Sequence, residues 1–217
     1  MLEATICNLY ATRKSAAEVA AYFRADLTKQ FNVGEEVYPG APGLVIVEDE
    51  GSRVVRSMTW GFPLRLSSMK PGSKPKPVNN IADLTSFMWR FIAPRPGNRC
   101  LIPVTEFAEA DGPKGGKTRT WFSVTDQPIF AWAGMWKDSD EWGPVYSGLM
   151  TDANEAVSPV HDRMPVILHA DEQDAWLHGS IDDVIAFQHR SFPNELIAMN
   201  RTQDPWIRRS SSAPSLL

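Results

Sequence analysis

Short β-favouring segments fill the second half of this chain and constrain its fold more than any other feature. Each is four to eight residues long, favours Val, Ile, Thr, Phe and Trp, and is separated from the next by Gly, Pro or Asp turns. The segments are residues 100–103, 118–125, 129–136, 145–150 and 164–168. Such spacing predicts a curved, mainly antiparallel sheet or barrel.

Helical patterns are few and short. Apolar spacing predicts helices at residues 15–24, 81–92, 171–177 and 181–187. The first has the clearest start signal, because Ser15 is a typical N-cap and Glu18, three residues later, completes a capping box. The last two are expected to be peripheral.

Turn signals organise the rest of the first half. Residues 44–48 and 53–60, joined through Glu50-Gly51, predict a hairpin. Residues 34–43 are predicted to be a loop, and residues 63–77, rich in Pro, Ser and Lys, a mobile surface loop.

One domain accounts for the whole pattern. At 217 residues the chain is long enough to bury a core of its own, and neither an internal repeat nor a composition break divides it. We therefore expect a single α+β domain over residues 7–209, a curved antiparallel sheet or barrel with peripheral helices. Residues 1–6 are interpreted as a leader or an added extension, and the Ser-rich residues 210–217 as a disordered tail.

Composition and missing motifs exclude several classes of protein. No apolar run approaches the roughly 20 residues of a membrane-spanning helix, and the N-terminus lacks the features of a signal peptide. Two cysteines build neither a disulfide framework nor a four-cysteine zinc site. No P-loop, GxGxxG, HExxH, GxSxG or CxxC motif is present. We expect a cytoplasmic, monomeric protein without a metal or an organic cofactor.

The charge distribution is more informative than the net charge of −4. Residues 53–99 contain nine cations and one anion, a local charge of +8 that leaves −12 for the rest of the chain. Cations interleaved with aromatics are typical of single-stranded nucleic-acid grooves, where rings stack on bases. The alternative is a solvated basic face whose aromatic side chains turn into the core. The aromatic residues are Trp60, Phe62, Phe87, Trp89 and Phe91.

A series of short motifs narrows the function. They are Cys7 close to the N-terminus, Trp60-Gly61-Phe62, Asn79-Asn80, the run 99–109 ending in Glu109, Ala133-Gly134-Met135-Trp136, Thr151-Asp152-Ala153-Asn154 and the run 161–168 opening with His161. Each is weak alone. In this order, over most of the chain from Cys7 to about His169, they resemble the SRAP family of SOS-response-associated peptidases.

The resemblance implies that the protein holds abasic sites in single-stranded DNA and bonds covalently to them through an N-terminal cysteine. An open-chain abasic sugar carries an aldehyde, and an α-amino group with a pKa of about 7.7–8.0 is neutral enough to form an imine with it. The thiol of the same residue then closes a five-membered thiazolidine, helped by the high effective concentration of a tethered nucleophile.

Transferred residue by residue, the resemblance implies four catalytic roles. Cys7 supplies amine and thiol, Asn80 hydrogen-bonds the amine or the sugar, Glu109 orients the amine or relays its proton, and His161 is the acid and base that opens the sugar ring. Taken singly, each also has an ordinary structural explanation, as a buried thiol, loop amide, strand carboxylate or turn histidine. Cys100, among apolar neighbours, is expected to be a core residue.

Five further residues are predicted to bind DNA. Arg163 is a candidate phosphate contact, since guanidinium groups bind phosphate oxygens in bidentate fashion. The others are Trp60, Arg90, Thr151 and Asn154.

The chain departs from the family pattern at several positions. Six residues precede Cys7. Three explanations stay open: these residues are an added extension, the chain cleaves itself after Ile6, or the protein has lost the crosslinking activity. Leu9 and Ala82 stand where many members have Arg, and Ala110 where an aromatic is usual. Two alternatives to abasic-site capture therefore stay open. One is a thiol peptidase or autopeptidase using Cys7 and His161, and the other is a non-catalytic single-stranded DNA-binding protein.

Overall fold

A computed structural model describes residues 7–65, 67–70 and 72–206. The predicted leader 1–6 and tail 210–217 lie outside these residues. Within them, no helix is long and apolar enough to cross a membrane.

Strands make up most of the regular secondary structure in the described residues. They are β1 (Tyr10–Ala11), β2 (Glu36–Val37), β3 (Pro42–Asp49), β4 (Ser52–Trp60), β5 (Phe62–Leu64), β6 (Lys76–Val78), β7 (Asn80–Ile81), β8 (Arg99–Val104), β9 (Glu106–Asp111), β10 (Thr118–Val124), β11 (Phe130–Ser139), β12 (Gly143–Asp152), β13 (Arg163–Pro165), β14 (Ile167–Leu168) and β15 (Ile197–Pro205). The α-helices are α1 (Ala16–Phe23), α2 (Gln173–His178) and α3 (Ile181–Gln188). Single 3-10 turns lie at Pro96–Asn98, Ala170–Glu172 and Asn194–Leu196.

The strands form two principal sheets and a small ribbon. The larger sheet has the order β13-β12-β4-β3-β8-β11-β14, with β7 added alongside β12, and the smaller has the order β15-β10-β9-β1-β2. Strands β5 and β6 form the ribbon. Most pairs are antiparallel, whereas β12 pairs in parallel with β4 and with β7. The α+β class and the mainly antiparallel sheet are thereby confirmed.

Burial on both faces explains the uninterrupted apolar runs of the larger sheet. Successive side chains of a strand point to opposite faces. In β3, Leu44 and Ile46 pack into a core that contains residues of all three helices, whereas Val45 and Val47 pack into a second core shared with the smaller sheet. Strand β3 is therefore covered on both faces and shows no polar alternation.

Several predicted elements are confirmed. Helix α1 begins after Ser15, whose side chain accepts the Glu18 N–H while Glu18 bonds back to the Ser15 backbone. The hairpin forms between β3 and β4 through Glu50 and Gly51, both with positive φ. Helices α2 and α3 occupy the two predicted C-terminal positions.

The predicted helix over residues 81–92 is wrong. Strand β7 is followed there by hydrogen-bonded turns. The Asp83 carboxylate accepts the Thr85 N–H at 2.8 Å, and the Gln188 side-chain oxygen accepts the Leu84 N–H at 3.0 Å. These bonds compete with helical ones, and they are local and tertiary features that apolar spacing does not show. The predicted 63–77 loop also begins and ends in paired strand, β5 against β6.

Arg99 is a structural cation. Its side chain is buried, and it donates to the Ala93 carbonyl in the turns before β8 and to the carbonyls of Trp176 and Gly179, near and just after the end of α2. We expect Arg99→Ala to lower the free energy of unfolding by about 3 kcal/mol, because it leaves several buried carbonyls unpaired. Urea denaturation measures this, and Arg95→Ala, an exposed site nearby, is the control, expected within about 0.5 kcal/mol of the parent. Equal stability of the two variants would contradict the assignment.

Candidate active site

Cys7 lies three residues before the first residue of β1, Tyr10, and is fully buried. Its carbonyl accepts two side-chain amides, from Asn79 at 3.2 Å and from Asn80 at 2.8 Å. Its thiol lies 3.7 Å from the Leu9 carbonyl. Cys7 is therefore held on its carbonyl side by two neighbouring asparagines.

The two asparagines are positioned by the parallel pairing of β7 with β12. Asn80 lies opposite Gly148, and the Gly148 N–H donates to the Asn79 carbonyl at 3.0 Å. The indole N–H of Trp60 donates to the same carbonyl at 2.9 Å. A Cβ on Gly148 would come within 2.0 Å of the Trp132 ring, so only glycine fits here. Tight packing thus fixes the loop that holds Cys7.

Glu109 approaches Cys7 from β9, where it pairs with Thr120 of β10. The carboxyl group is almost completely buried, and hydrogen bonding with Cys7 acts to lower its pKa. Its Oε1 atom has no hydrogen-bond partner within the described part of the chain. Glu109 and Cys7 are therefore neighbouring groups that influence each other's pKa.

The electrostatics of this pair are dominated by burial. Desolvation raises the pKa of Glu109 to about 8, while the hydrogen bonds from Cys7 act in the opposite direction. Burial, followed by the charge of Glu109, raises the pKa of the Cys7 thiol well above its usual value. At neutral pH the structure therefore holds a neutral thiol beside a carboxyl group that is largely protonated.

A buried aromatic cluster packs in the same core as Cys7. The hydroxyl groups of Tyr10 and Tyr146 share a short hydrogen bond, and Tyr10 packs edge-on against Trp60 and Trp132 at centroid distances of 5.0 and 5.9 Å. Burial raises the pKa of both tyrosines. Their role is structural, since both rings are fully buried.

His161 lies in the turn before β13. Its Nδ1 accepts the Arg163 backbone N–H at 3.0 Å, so in the neutral ring we infer that Nε2 carries the proton. The neighbouring Asp162 raises the pKa of Glu109 through its negative charge. The structure thus brings Cys7, Asn80 and Glu109 into contact and places His161 beside a residue that acts on the same carboxyl group.

Three of the predicted DNA contacts need correction. Trp60, Thr151 and Asn154 are all buried, with at most 5% of their surface exposed. Trp60 positions Asn79, and Asn154 accepts the Val157 N–H and donates to a backbone carbonyl. Aromatic and polar identity in the sequence does not reveal which face of a sheet a side chain occupies. These side chains build the scaffold rather than a DNA surface.

The two predicted arginines differ in their surroundings. Arg163 donates to Asp152 and to the carbonyls of Ala82 and Met150. It therefore helps to anchor the segment that follows Asn80. Arg90 is exposed on the turns after β7.

Asn79 is the site residue to which sequence reasoning assigned no role. The Asn79-Asn80 motif is visible in the sequence. The hydrogen bond from Asn79 to the Cys7 carbonyl is not, because it depends on tertiary contacts. Among the described residues, no group of three or more His, Cys, Asp and Glu side chains is arranged to hold a metal ion.

Comparison with known proteins decides the family. The family model for SOS response associated peptidase (SRAP) matches residues 6–203. The chain belongs to the SRAP family. This confirms the resemblance found in the motifs.

Curated relatives of this SRAP chain include two proteins of Bacillus subtilis (strain 168). It is 30% identical over 176 residues to abasic site processing protein YoqW, covering 73% of this chain and 77% of YoqW. It is 28% identical over 165 residues to abasic site processing protein YoaM, covering 70% and 71% of the two chains.

Solved structures share the fold of this SRAP chain. A Bordetella bronchiseptica protein superposes with a TM-score of 0.76 and 21% identity, covering 90% of this chain and 99% of that one. A Bacteroides thetaiotaomicron protein gives a TM-score of 0.75, also at 21% identity, covering 90% and 91%.

The raised pKa of Glu109 predicts a pH-dependent stability. Its carboxyl group binds a proton in the folded state up to about pH 8, but in the unfolded state only up to about 4.5. The folded state therefore binds more protons between these limits, and stability falls as pH rises through that window. We expect Glu109→Gln to remove this loss, amounting to about 4 kcal/mol.

Urea denaturation of the parent and Glu109→Gln at pH 5 and pH 8.5 measures the effect. The stability difference between the two pH values should shrink in the variant by several kcal/mol. Parallel pH profiles for the two proteins would contradict the assignment.

Proposed function

We propose that this chain captures abasic sites in single-stranded DNA through a thiazolidine formed by the amine and thiol of Cys7, once Cys7 is the N-terminal residue. One observation carries the proposal. Asn79 and Asn80 hold the Cys7 carbonyl beside Glu109, whose carboxyl group is influenced by both the side chain and the backbone of Cys7, the two groups that this chemistry uses. The names of YoqW and YoaM, which are abasic site processing proteins, support the same substrate.

The reaction balances without an oxidant or a cofactor. The Cys7 amine adds to the aldehyde carbon of the open abasic sugar, and loss of one water gives an imine. The sulfur then bonds to the imine carbon, and the thiol proton passes to the nitrogen. The net change joins aldehyde and cysteine and releases one water. Ring closure is intramolecular and gains the effective concentration of a tethered group.

Each neighbouring residue has a defined task in this proposal. Glu109 takes a proton from the attacking nitrogen and returns it to the departing hydroxyl, which suits a carboxyl group whose pKa lies near neutrality. Asn80 holds the Cys7 carbonyl and so fixes the direction of the amine. His161 exchanges the proton that opens the sugar ring, because an imidazole can both accept and donate a proton.

The proposal requires the bond between Ile6 and Cys7 to be absent. An amide nitrogen is not nucleophilic, because its lone pair is delocalised into the carbonyl. The working form is therefore a chain that starts at Cys7.

The peptidase alternative is less well supported by the geometry. A thiol peptidase needs a thiolate, stabilised by a base or by positive charge. Here both burial and Glu109 raise the pKa of the Cys7 thiol, which favours the neutral thiol.

Denaturing electrophoresis tests the proposal. A chain verified by intact mass to begin at Cys7 is incubated with two single strands of identical sequence, one with a central abasic site. We expect a shifted band with the abasic strand alone, and none from the chain that begins at Met1. A chain with an acetylated Cys7 amine is the matched control and should give no band. If the Cys7-started chain gives no abasic-specific band, the proposal is wrong.

A further inference from the structure

We propose that Phe87, Arg90 and Phe91 form a stacking platform for bases that flank the captured lesion in single-stranded DNA. The inference rests on the proposed function for its substrate and adds a second contact surface. We call these three residues the aromatic platform.

Exposure separates the platform from the other aromatics of the basic segment. Trp60, Phe62 and Trp89 are buried, whereas Phe87 is 75% exposed and Phe91 59% exposed. Two large apolar rings side by side on a surface are costly to leave in water and mark a binding site more often than isolated ones do. The ring centroids lie 6.1 Å apart and the planes are perpendicular.

Positive charge is placed directly on these rings. The Arg90 guanidinium lies 4.9 Å from the Phe87 centroid and 4.7 Å from the Phe91 centroid. The earlier arginines of the basic segment behave differently. Arg53 and Arg65, for example, pair with carboxylates of distant parts of the chain. Rings with an adjacent guanidinium match a base and its phosphate, the combination found in single-strand grooves.

The backbone under the platform is held rigidly. Leu84 and Ala93, on either side of it, are buried, and Trp89 between the two rings packs edge-on against Phe62 at 4.8 Å. The Gln188 side chain accepts the Leu84 N–H and donates to the carbonyls of Ile81 and Ala82. The backbone that carries the exposed rings is therefore held by tertiary contacts, which lowers the entropy cost of binding.

The platform is within reach of DNA bound at Cys7. Asn80 contacts Cys7 and lies seven residues before Phe87, so the two backbones are at most about 25 Å apart. A single-strand site of four or more nucleotides has a comparable extent. An exposed aromatic surface can also bind a second copy of this chain. The experiment below distinguishes DNA binding from such self-association.

Fluorescence anisotropy tests the platform without the covalent reaction. The probes are 21-nucleotide single strands with a central tetrahydrofuran, which cannot open to an aldehyde. One strand has normal flanking bases. Two base-free strands have tetrahydrofuran at the flanking positions, one on the 5′ side and one on the 3′ side of the centre, so that phosphates remain but bases are lost. The proteins are the parent, the Phe87→Ala/Phe91→Ala double variant, Arg90→Gln, and Tyr22→Ala as an exposed aromatic control on α1.

The parent should bind the base-free strand roughly tenfold or more weakly than the normal strand, for at least one of the two sides. The double variant should bind the normal strand about as weakly as the parent binds the base-free strand. Its affinity for the base-free strand should be no lower than for the normal strand. Arg90→Gln should reduce the salt dependence by about one phosphate contact. Tyr22→Ala should bind like the parent.

Two results would overturn the platform. One is a double variant that still distinguishes normal from base-free strands as the parent does. The other is sedimentation showing that the parent dimerises and the double variant does not, with unchanged DNA affinity. Failure of the proposed function is separate, because it is the absence of a covalent band with a true abasic strand.

Discussion

A Cys7-started chain that carries Cys7→Ala is expected to give no DNA adduct that survives denaturation. The variant keeps the α-amine, so the imine still forms, but no sulfur is present to close the ring. An imine hydrolyses readily in water. In the thiazolidine, the former aldehyde carbon is bonded to both the nitrogen and the sulfur of one cysteine, so the adduct is more stable. The loss of stable product on denaturing gels should therefore be complete.

Borohydride separates the two steps. Reduction of the imine gives a stable secondary amine, so Cys7→Ala should yield a covalent band only when borohydride is present. The parent should yield it with and without reductant. Cys100→Ala, at the other cysteine, is the matched control and should crosslink like the parent, because Cys100 is buried in an apolar core.

Either of two observations would contradict this mechanism. A stable band from Cys7→Ala without reductant would mean that another residue captures the aldehyde. No band from Cys7→Ala with borohydride, while its affinity for the strand is unchanged, would mean that the α-amine is not the attacking group.

The second large effect is expected from Glu109→Gln. The glutamine has nearly the same shape but neither takes nor gives a proton, so the rate of crosslinking should fall by about 100- to 1,000-fold. Affinity for a tetrahydrofuran strand should change little, because the carboxyl group lies against Cys7 rather than at the surface. Single-turnover rates from pH 6 to pH 9 measure the effect.

The pH profile shows whether Glu109 moves protons. The variant should keep the rise in rate that accompanies neutralisation of the α-amine and lose any dependence that belongs to the carboxyl group. Glu106→Gln is the control on the same strand, since Glu106 pairs with Arg13 instead. A variant rate within threefold of the parent would leave Glu109 with a purely structural role.

Local signals predicted most of the framework of this fold. Ser15 and Glu18 identify the start of α1, and Glu50-Gly51 identifies the β3–β4 turn, because both depend on residues adjacent in sequence. The apolar spacing after Asn80 predicted a helix wrongly, because the Gln188 side chain, about a hundred residues away, captures the Leu84 N–H. Strands β9 and β15 were also not predicted.

The candidate site was predictable in part. The order of motifs pointed to Cys7, Asn80 and Glu109, and the structure brings these three into contact. Burial was not predictable, because a strand enclosed on both faces shows no alternation that separates core from surface. Trp60 was therefore taken for a DNA contact, while the exposed Phe87 has no local signal that distinguishes it from Trp60.

The hydrogen bonds from Asn79 and Asn80 to the Cys7 carbonyl bear on how a free Cys7 amine would be produced. Both bonds lie on the side of Cys7 that faces the rest of the domain, so breaking the bond on its other side leaves them intact. Under the proposed mechanism, release of the Cys7 amine changes the chemistry of one nitrogen while the contacts of the Cys7 carbonyl stay the same. A chain with residues before Cys7 is then expected to fold around the same site and to be unreactive toward aldehydes, because its Cys7 nitrogen is an amide.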